Sequence, residues 1–253
     1  MRKMMNRLHN ARVRRRWRRI ANTADKTEPA ELRQQRAEAR RLAVILDRLM
    51  HVADGRLAVP KLGSCSFPRP HGTDWAWRPE VWCGPLPYPG LSSVTSEAAL
   101  GGEVQVFHDC SASELTLRQL RNKRAQDLAP FGLRMDVFRF DGSFLSLAID
   151  LPTAAAENLQ RDHILRIESI LEIESPLDIY ARLNIEHGPN TEQISRKLPS
   201  HNTTARVDFD LAHTRINEKR INKIWLDLIF ETPEMNQVIL RDLTFARHRR
   251  AAL

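Results

Sequence analysis

From residue 133 onward the chain alternates apolar and polar side chains with a period of two. Leu145, Leu147, Ile149 and Leu151 share one face, as do Leu165, Ile167, Leu171 and Ile173 in the next segment. The pattern repeats with Ile179, Ala181, Leu183 and Ile185, with Ala205, Val207, Phe209 and Leu211, and with Ile224, Leu226, Leu228 and Phe230. Successive side chains on a strand point to opposite faces, so each segment predicts a strand with one apolar side. Leu133–Phe140 and Ser143–Leu151 flank Asp141-Gly142, a dipeptide that tolerates positive φ, and this predicts an antiparallel hairpin. A last strand over 237–245 precedes the basic tail Arg247, His248, Arg249 and Arg250. Together these segments predict a mainly β protein, an antiparallel two-layer β-sandwich.

The first part of the chain follows a different period. Arg2 to Ala21 holds nine Lys or Arg, no acid, and no glycine or proline, which predicts a basic helix. On that helix Met4, Met5, Leu8 and Ala11 fall on one side while Val13, Trp17 and Ile20 fall nearly opposite, which counts against a single membrane-facing stripe. A second helix is predicted over Pro29–Asp54, with Thr27 as cap, Pro29 and Glu31 in the first turn, and Gly55 ending the pattern. Leu32, Ala39, Leu42, Ile45, Leu46, Leu49 and Val52 form one broad face, with Arg33, Arg36, Arg40, Arg41 and Arg48 largely opposite. Such a face packs on the first helix or on the protein's own body, or pairs with another copy as a coiled coil.

Between these regions, residues 55–92 carry seven prolines and three tryptophans, Trp75, Trp77 and Trp82. Disordered linkers are poor in aromatics, so this extended segment is expected to wrap the folded body, with Trp77 and Trp82 as plugs. The stretch Ser113–Leu128 reads as a short helix. The organisation is therefore a basic helical arm over 1–54, a wrapping segment over 55–92 and a β-sandwich domain over 93–253.

Charge sharpens this division. The net +8 is local: residues 1–50 hold 15 Lys or Arg against 5 Asp or Glu, and the rest hold 24 against 26. Arg12, Arg14, Arg15, Arg16, Arg18 and Arg19 are candidate anion-binding residues, for an anionic surface or a nucleic acid reached through residues 1–22. No window is apolar enough for a transmembrane segment and no signal-peptide pattern is present. Cys65, Cys83 and Cys110 are odd in number, show no CxxC spacing, and fit a reduced, cytoplasmic setting. His108, Asp109 and Cys110 are adjacent, but neighbours on a strand face opposite ways, which argues against a shared catalytic thiol. No G-x-S-x-G, H-E-x-x-H or phosphate-binding glycine loop occurs, so no cofactor or metal is expected.

The closing stretch "KIWLDLIFETPEMNQVILRDLTFARHRRA", with Leu240, Asp242, Leu243 and Phe245 in its final strand, resembles the last hairpin of jelly-roll carbohydrate-binding modules. The resemblance covers roughly residues 133–247. With "WRPEVWCGPL" and the basic N-terminus, the whole chain also resembles a bacterial protein family of unknown function. The jelly-roll resemblance implies a jelly-roll-like sandwich that binds a glycan on an open sheet face, and it puts Asp242 where such modules supply a ligand to a structural calcium.

Solvent-side residues on three predicted strands suit that expectation: Tyr180, Arg182, Asn184 and Glu186, then Arg206, Asp208 and Asp210, then Trp225 and Asp227. Of these, Tyr180, Arg182, Asn184, Asp208, Trp225 and Asp227 are the candidate ligand-binding residues. The ordinary alternative is that alternation always leaves polar residues outside. A non-catalytic binding or accessory module with a glycan or protein partner is the leading expectation, ahead of an anion binder. A glycan-active enzyme using Asp208 with Asp210, or Asp178 with Glu186, comes last.

Overall fold

The computed structural model describes residues 2–57, 67–111, 114–124, 127–199 and 204–250, with helix side chains from residue 11 to residue 49. Expectations that rest on Pro60, Cys65, Val52 or the side chains of Met4, Met5 and Leu8 lie outside the described residues. The chain forms two compact units, Met1–Ala53 and Asp54–Leu253.

The first unit holds α1 (Arg2–Thr23) and most of α2 (Pro29–Leu57), joined by a short turn over Ala24–Lys26. Thr27 stands one residue before the cap position of α2, which begins at Pro29, and its hydroxyl donates back to the Thr23 carbonyl at 2.9 Å. The described contact between the helices is polar: Arg16 lies 3.6 Å from Glu38.

The second unit contains thirteen strands among the described residues. They are β1 (Thr73–Trp77), β2 (Gly90–Ser92), β3 (Ala98–Leu100), β4 (Val104–His108), β5 (Leu115–Arg121), β6 (Phe131–Val137) and β7 (Leu145–Asp150), then β8 (His163–Ile173), β9 (Ile179–His187), β10 (Asn190–Lys197), β11 (Thr204–Asp210), β12 (Ile221–Phe230) and β13 (Asn236–Arg249). One sheet runs β11-β8-β13-β6-β5-β2 with β1 added on β13, and the other runs β10-β9-β12-β7-β4-β3. All pairings are antiparallel, and strands in sequence repeatedly change sheet, as in a jelly roll. Leu117, Ile167, Phe209 and Phe245 from one sheet and Leu145, Ile149, Leu183 and Leu226 from the other are buried in a single core.

Three sequence expectations change. The predicted hairpin is a crossing between layers, because β6 pairs with β5 and β13 while β7 pairs with β4 and β12. Its turn is held by a distant contact: Asp109 accepts bonds from the Ser143 amide at 2.7 Å and hydroxyl at 2.6 Å, and Asp141 accepts from the Ser111 amide and hydroxyl. A side chain at Gly142 would place Cβ 2.5 Å from Asp109 Oδ1, so the glycine is needed for close approach. The stretch read as a helix contains β5, whose buried Leu115 and Leu117 alternate into the core, so tertiary pairing overrides helix propensity. The basic tail is also strand, since β13 continues to Arg249 and buries Arg247 on Asp74.

The Trp-rich segment holds β1, a single helical turn α3 (Glu80–Cys83) and β2. Trp82 is 0% exposed, and its indole Nε1 donates to the Leu240 carbonyl at 2.9 Å. Trp77 is half-buried with its ring 5.4 Å from that of Phe245, and Trp75 lies 6.4 Å from Trp77. The Gln119 amide donates to the Val81 and Gly84 carbonyls, each at 2.7 Å, and so pins the turn to β5. Trp82→Ala should lower the unfolding free energy by about 3–5 kcal/mol, through a lost ring and an orphaned carbonyl. A urea midpoint within error of the parent would contradict this.

Burial raises the Asp74 carboxyl, but the hydrogen bonds and charge of Arg247, with His163 nearby, outweigh it and hold it below the usual carboxylate range. A depressed folded value contributes stability above the unfolded value of about 3.9, and that contribution is lost as pH falls further. Acid titration of unfolding should therefore lose part of its steepness below about pH 4 in Asp74→Asn. An unchanged acid limb would count against the clamp between β1 and β13.

Candidate functional site

Antiparallel register builds the outer face of the second sheet row by row. Gln193 on β10, Asn184 on β9, Trp225 on β12 and Asp150 on β7 lie side by side. The next row is Arg182, Asp227, Ala148 and Gln105, and beyond it Ile229, Ser146 and Phe107. Ser146 and Ala148 are small residues between bulky neighbours, so the sheet face sinks along β7. The result is a hollow of about 740 Å³, lined by Phe107, Phe144, Trp225 and Ile229 and by the polar groups of Gln105, Gln193, Arg182, Asn184, Asp227 and Lys223.

Its polar groups are already ordered. Asp227 Oδ2 accepts Arg182 Nε at 3.0 Å, Arg182 Nη2 at 2.8 Å and Asn184 Nδ2 at 2.9 Å. Asn184 in turn accepts from Gln193 Nε2 at 3.0 Å, which ties the edge strand to the cluster. Lys223 Nζ binds Asp150 at 2.8 Å and sits 5.6 Å from the centre of the Trp225 ring. Both cations in the hollow are thus paired with carboxylates, and Asp227 Oδ1 has no hydrogen bond among the described residues.

Of the six expected ligand-binding residues, Arg182, Asn184, Trp225 and Asp227 line this hollow. Tyr180 stands one pair further along β9, opposite Ile229, with its ring 5.8 Å from Lys197 Nζ, and does not line it. Asp208 is a correction: β11 belongs to the other sheet, and its carboxylate is held at 2.7 Å by both Nε and Nη2 of Arg166, which lowers its pKa. The single patch expected from alternation therefore splits between two sheets. The lining residues Phe107, Phe144, Ser146, Ala148, Asp150 and Lys223 were not singled out from sequence, although the alternation of β7 and β12 already points four of them outward.

The other groups weighed for chemistry are engaged in structural contacts. Asp210 accepts from the Ala212 amide at 3.0 Å as a turn cap, while Asp178 immediately precedes β9 and Glu186 lies near its far end, about 26 Å away at strand rise. That is too far for a pair of glycosidase carboxylates. His108 Nε2 is 2.8 Å from the Val94 carbonyl, and burial pushes the Cys110 thiol up, away from thiolate character. Asp242 is engaged by Arg78 at 2.9 Å through both oxygens instead of facing a calcium site. Among the described residues no three His, Cys, Asp or Glu side chains are grouped to hold a metal. On α1 the six candidate arginines, Arg12, Arg14, Arg15, Arg16, Arg18 and Arg19, are all exposed, and four of them face Glu31 and Glu38 of α2 across a hollow of about 570 Å³.

Residues 1–253 match DUF6478, described as a family of unknown function. The chain belongs to that family. No curated protein sequence matches it. Similar solved structures include the enzymatically active domain of bacteriophage CBA120 tailspike protein 4, at 7% identity and TM-score 0.42, covering 61% of this chain and 21% of the tailspike. The CBM22-1 xylan-binding domain of Paenibacillus barcinonensis Xyn10C is 9% identical at TM-score 0.38, with 64% and 94% of the two chains covered. A family 11 carbohydrate-binding module from Clostridium thermocellum, in complex with a β-1,3-1,4-mixed-linked tetrasaccharide, is 7% identical at TM-score 0.38, with 62% and 94% covered. At these scores the likeness is weak, and the sandwich of this family member rests on its own strand pairings.

Asn184 is 0% exposed and joins three strands, so Asn184→Ala should cost about 1–3 kcal/mol by leaving Asp227 and Gln193 short of partners. Arg182→Ala should cost more, about 3–5 kcal/mol, because it leaves the buried Asp227 carboxylate without its cation. Chemical denaturation of the two variants gives the order directly, and the reverse order would refute it.

Proposed function

We propose that this protein is a glycan-binding module that holds carbohydrate in the outer hollow of its second sheet. The observation that carries the reading is the combination of three aromatic side chains, Phe107, Phe144 and Trp225, with planar hydrogen-bonding groups already locked in place. Aromatic faces attract the C–H faces of sugar rings, and donors that need no reordering lose little entropy on binding. The paired state of Arg182 and Lys223 favours a neutral glycan, because an acidic sugar would have to compete with Asp227 and Asp150 for them. A ligand stacked on Trp225 shares that ring with Lys223.

Titration calorimetry against a panel of neutral and acidic polysaccharides tests the proposal. Trp225→Ala should weaken binding of the preferred glycan by about tenfold or more, the scale of one lost stacking contact. Asp208→Ala, on the other sheet, should leave it unchanged. Absence of binding by the parent, or equal affinity in a folded Trp225→Ala, removes the site.

A further inference from the structure

Four large aliphatic side chains within six residues of α2 are turned to solvent: Val44 is 69% exposed, Ile45 64%, Leu46 53% and Leu49 61%. They stand in the unit that carries the whole positive excess of the chain. Ile45, Leu46 and Leu49 share one side of α2, with Arg41 one turn before Ile45 and Arg48 one turn after Val44, both exposed. We propose that this unit docks on an anionic lipid bilayer, with Ile45, Leu46 and Leu49 entering the interfacial layer and the arginines of α1 and α2 resting on lipid phosphates.

Charge and apolar exposure select this occupant together. A nucleic acid would take up the arginines but leave the aliphatic group in water. A second copy would cover the aliphatic group but bring two strongly basic arms together, against like-charge repulsion at short range. An anionic bilayer accepts both, and surface-lying amphipathic helices combine such features. The split apolar faces of α1 are no obstacle, because α2 supplies the apolar contact and α1 the charge. Neither helix is long and apolar enough to cross a membrane, so the contact is with the surface.

The test is flotation of the full chain with vesicles of phosphatidylcholine alone or with phosphatidylglycerol added, at physiological salt. The protein should float with the anionic vesicles only. In Ile45→Gln/Leu46→Gln/Leu49→Gln, which keeps helix propensity, the bound fraction should fall about tenfold while heparin retention persists. If the triple variant loses helical signal, the single Leu46→Gln serves, with a smaller loss expected. Failure to float with anionic vesicles, or flotation unaltered by these substitutions, overturns the proposal. So does a dimer that the triple variant dissolves, or retention by duplex DNA without retention by vesicles.

Discussion

Strand β13 changes neighbour in mid-course, and the sandwich depends on how that change is sealed. On one edge β13 pairs with β6 as far as Leu240 and with β1 from Phe245 onward. Between them the buried backbone has no ladder partner on that edge, and buried carbonyls left unpaired are costly. Trp82 donates to the Leu240 carbonyl, Asn122 donates to the Arg241 carbonyl at 2.8 Å, and Arg78 holds the Asp242 carboxylate. A side chain at Gly132 on β6 would put Cβ 3.1 Å from the Leu240 carbonyl, so the approach of β6 stops at a glycine. Burial pushes the Asp242 carboxyl up even against Arg78, and removing that arginine would strand a buried charge at a cost of about 3–5 kcal/mol. Trp82 and Arg78 of the segment before β2, with Asn122 after β5, thus close the gap along this edge of β13.

How much of this was legible follows from what a period of two encodes. It reports which face of a segment is buried, so β8, β9, β11 and β12 could be read directly from their aliphatic alternation. It does not report which strand lies alongside. Asp141-Gly142 looked like a hairpin for that reason, whereas its geometry is set by Asp109 and Ser111, some thirty residues away. Edge strand β10 offers only the half-buried Ile194, so it gave no apolar rhythm to detect.

The candidate site divides in the same way. Arg182, Asn184, Trp225 and Asp227 were found because polar alternation on two strands brings them together when those strands are neighbours. Asp208 obeyed the same rule and landed on the other sheet. The depth of the hollow comes from Ser146 and Ala148, and missing bulk leaves no signal until the strands on either side are known. Phe107 and Phe144 gain meaning only beside that gap.

The two units also differ in how their charges are balanced. In the sandwich, Arg166, Arg182, Arg206, Arg241, Arg247, Lys197 and Lys223 each have a carboxylate within ion-pair distance. Among the described residues of the helical unit, Arg16 with Glu38 is the ion pair that forms. Paired charges cancel at a distance, so the field felt by an approaching partner originates in the helices. Salt shortens the reach of that field to about 8 Å at physiological strength, yet it barely touches ring stacking or hydrogen bonds already made in the hollow. Contacts of the helical unit must therefore weaken steeply with added salt, and contacts in the hollow must not. The two proposed surfaces are therefore distinguishable by ionic strength alone.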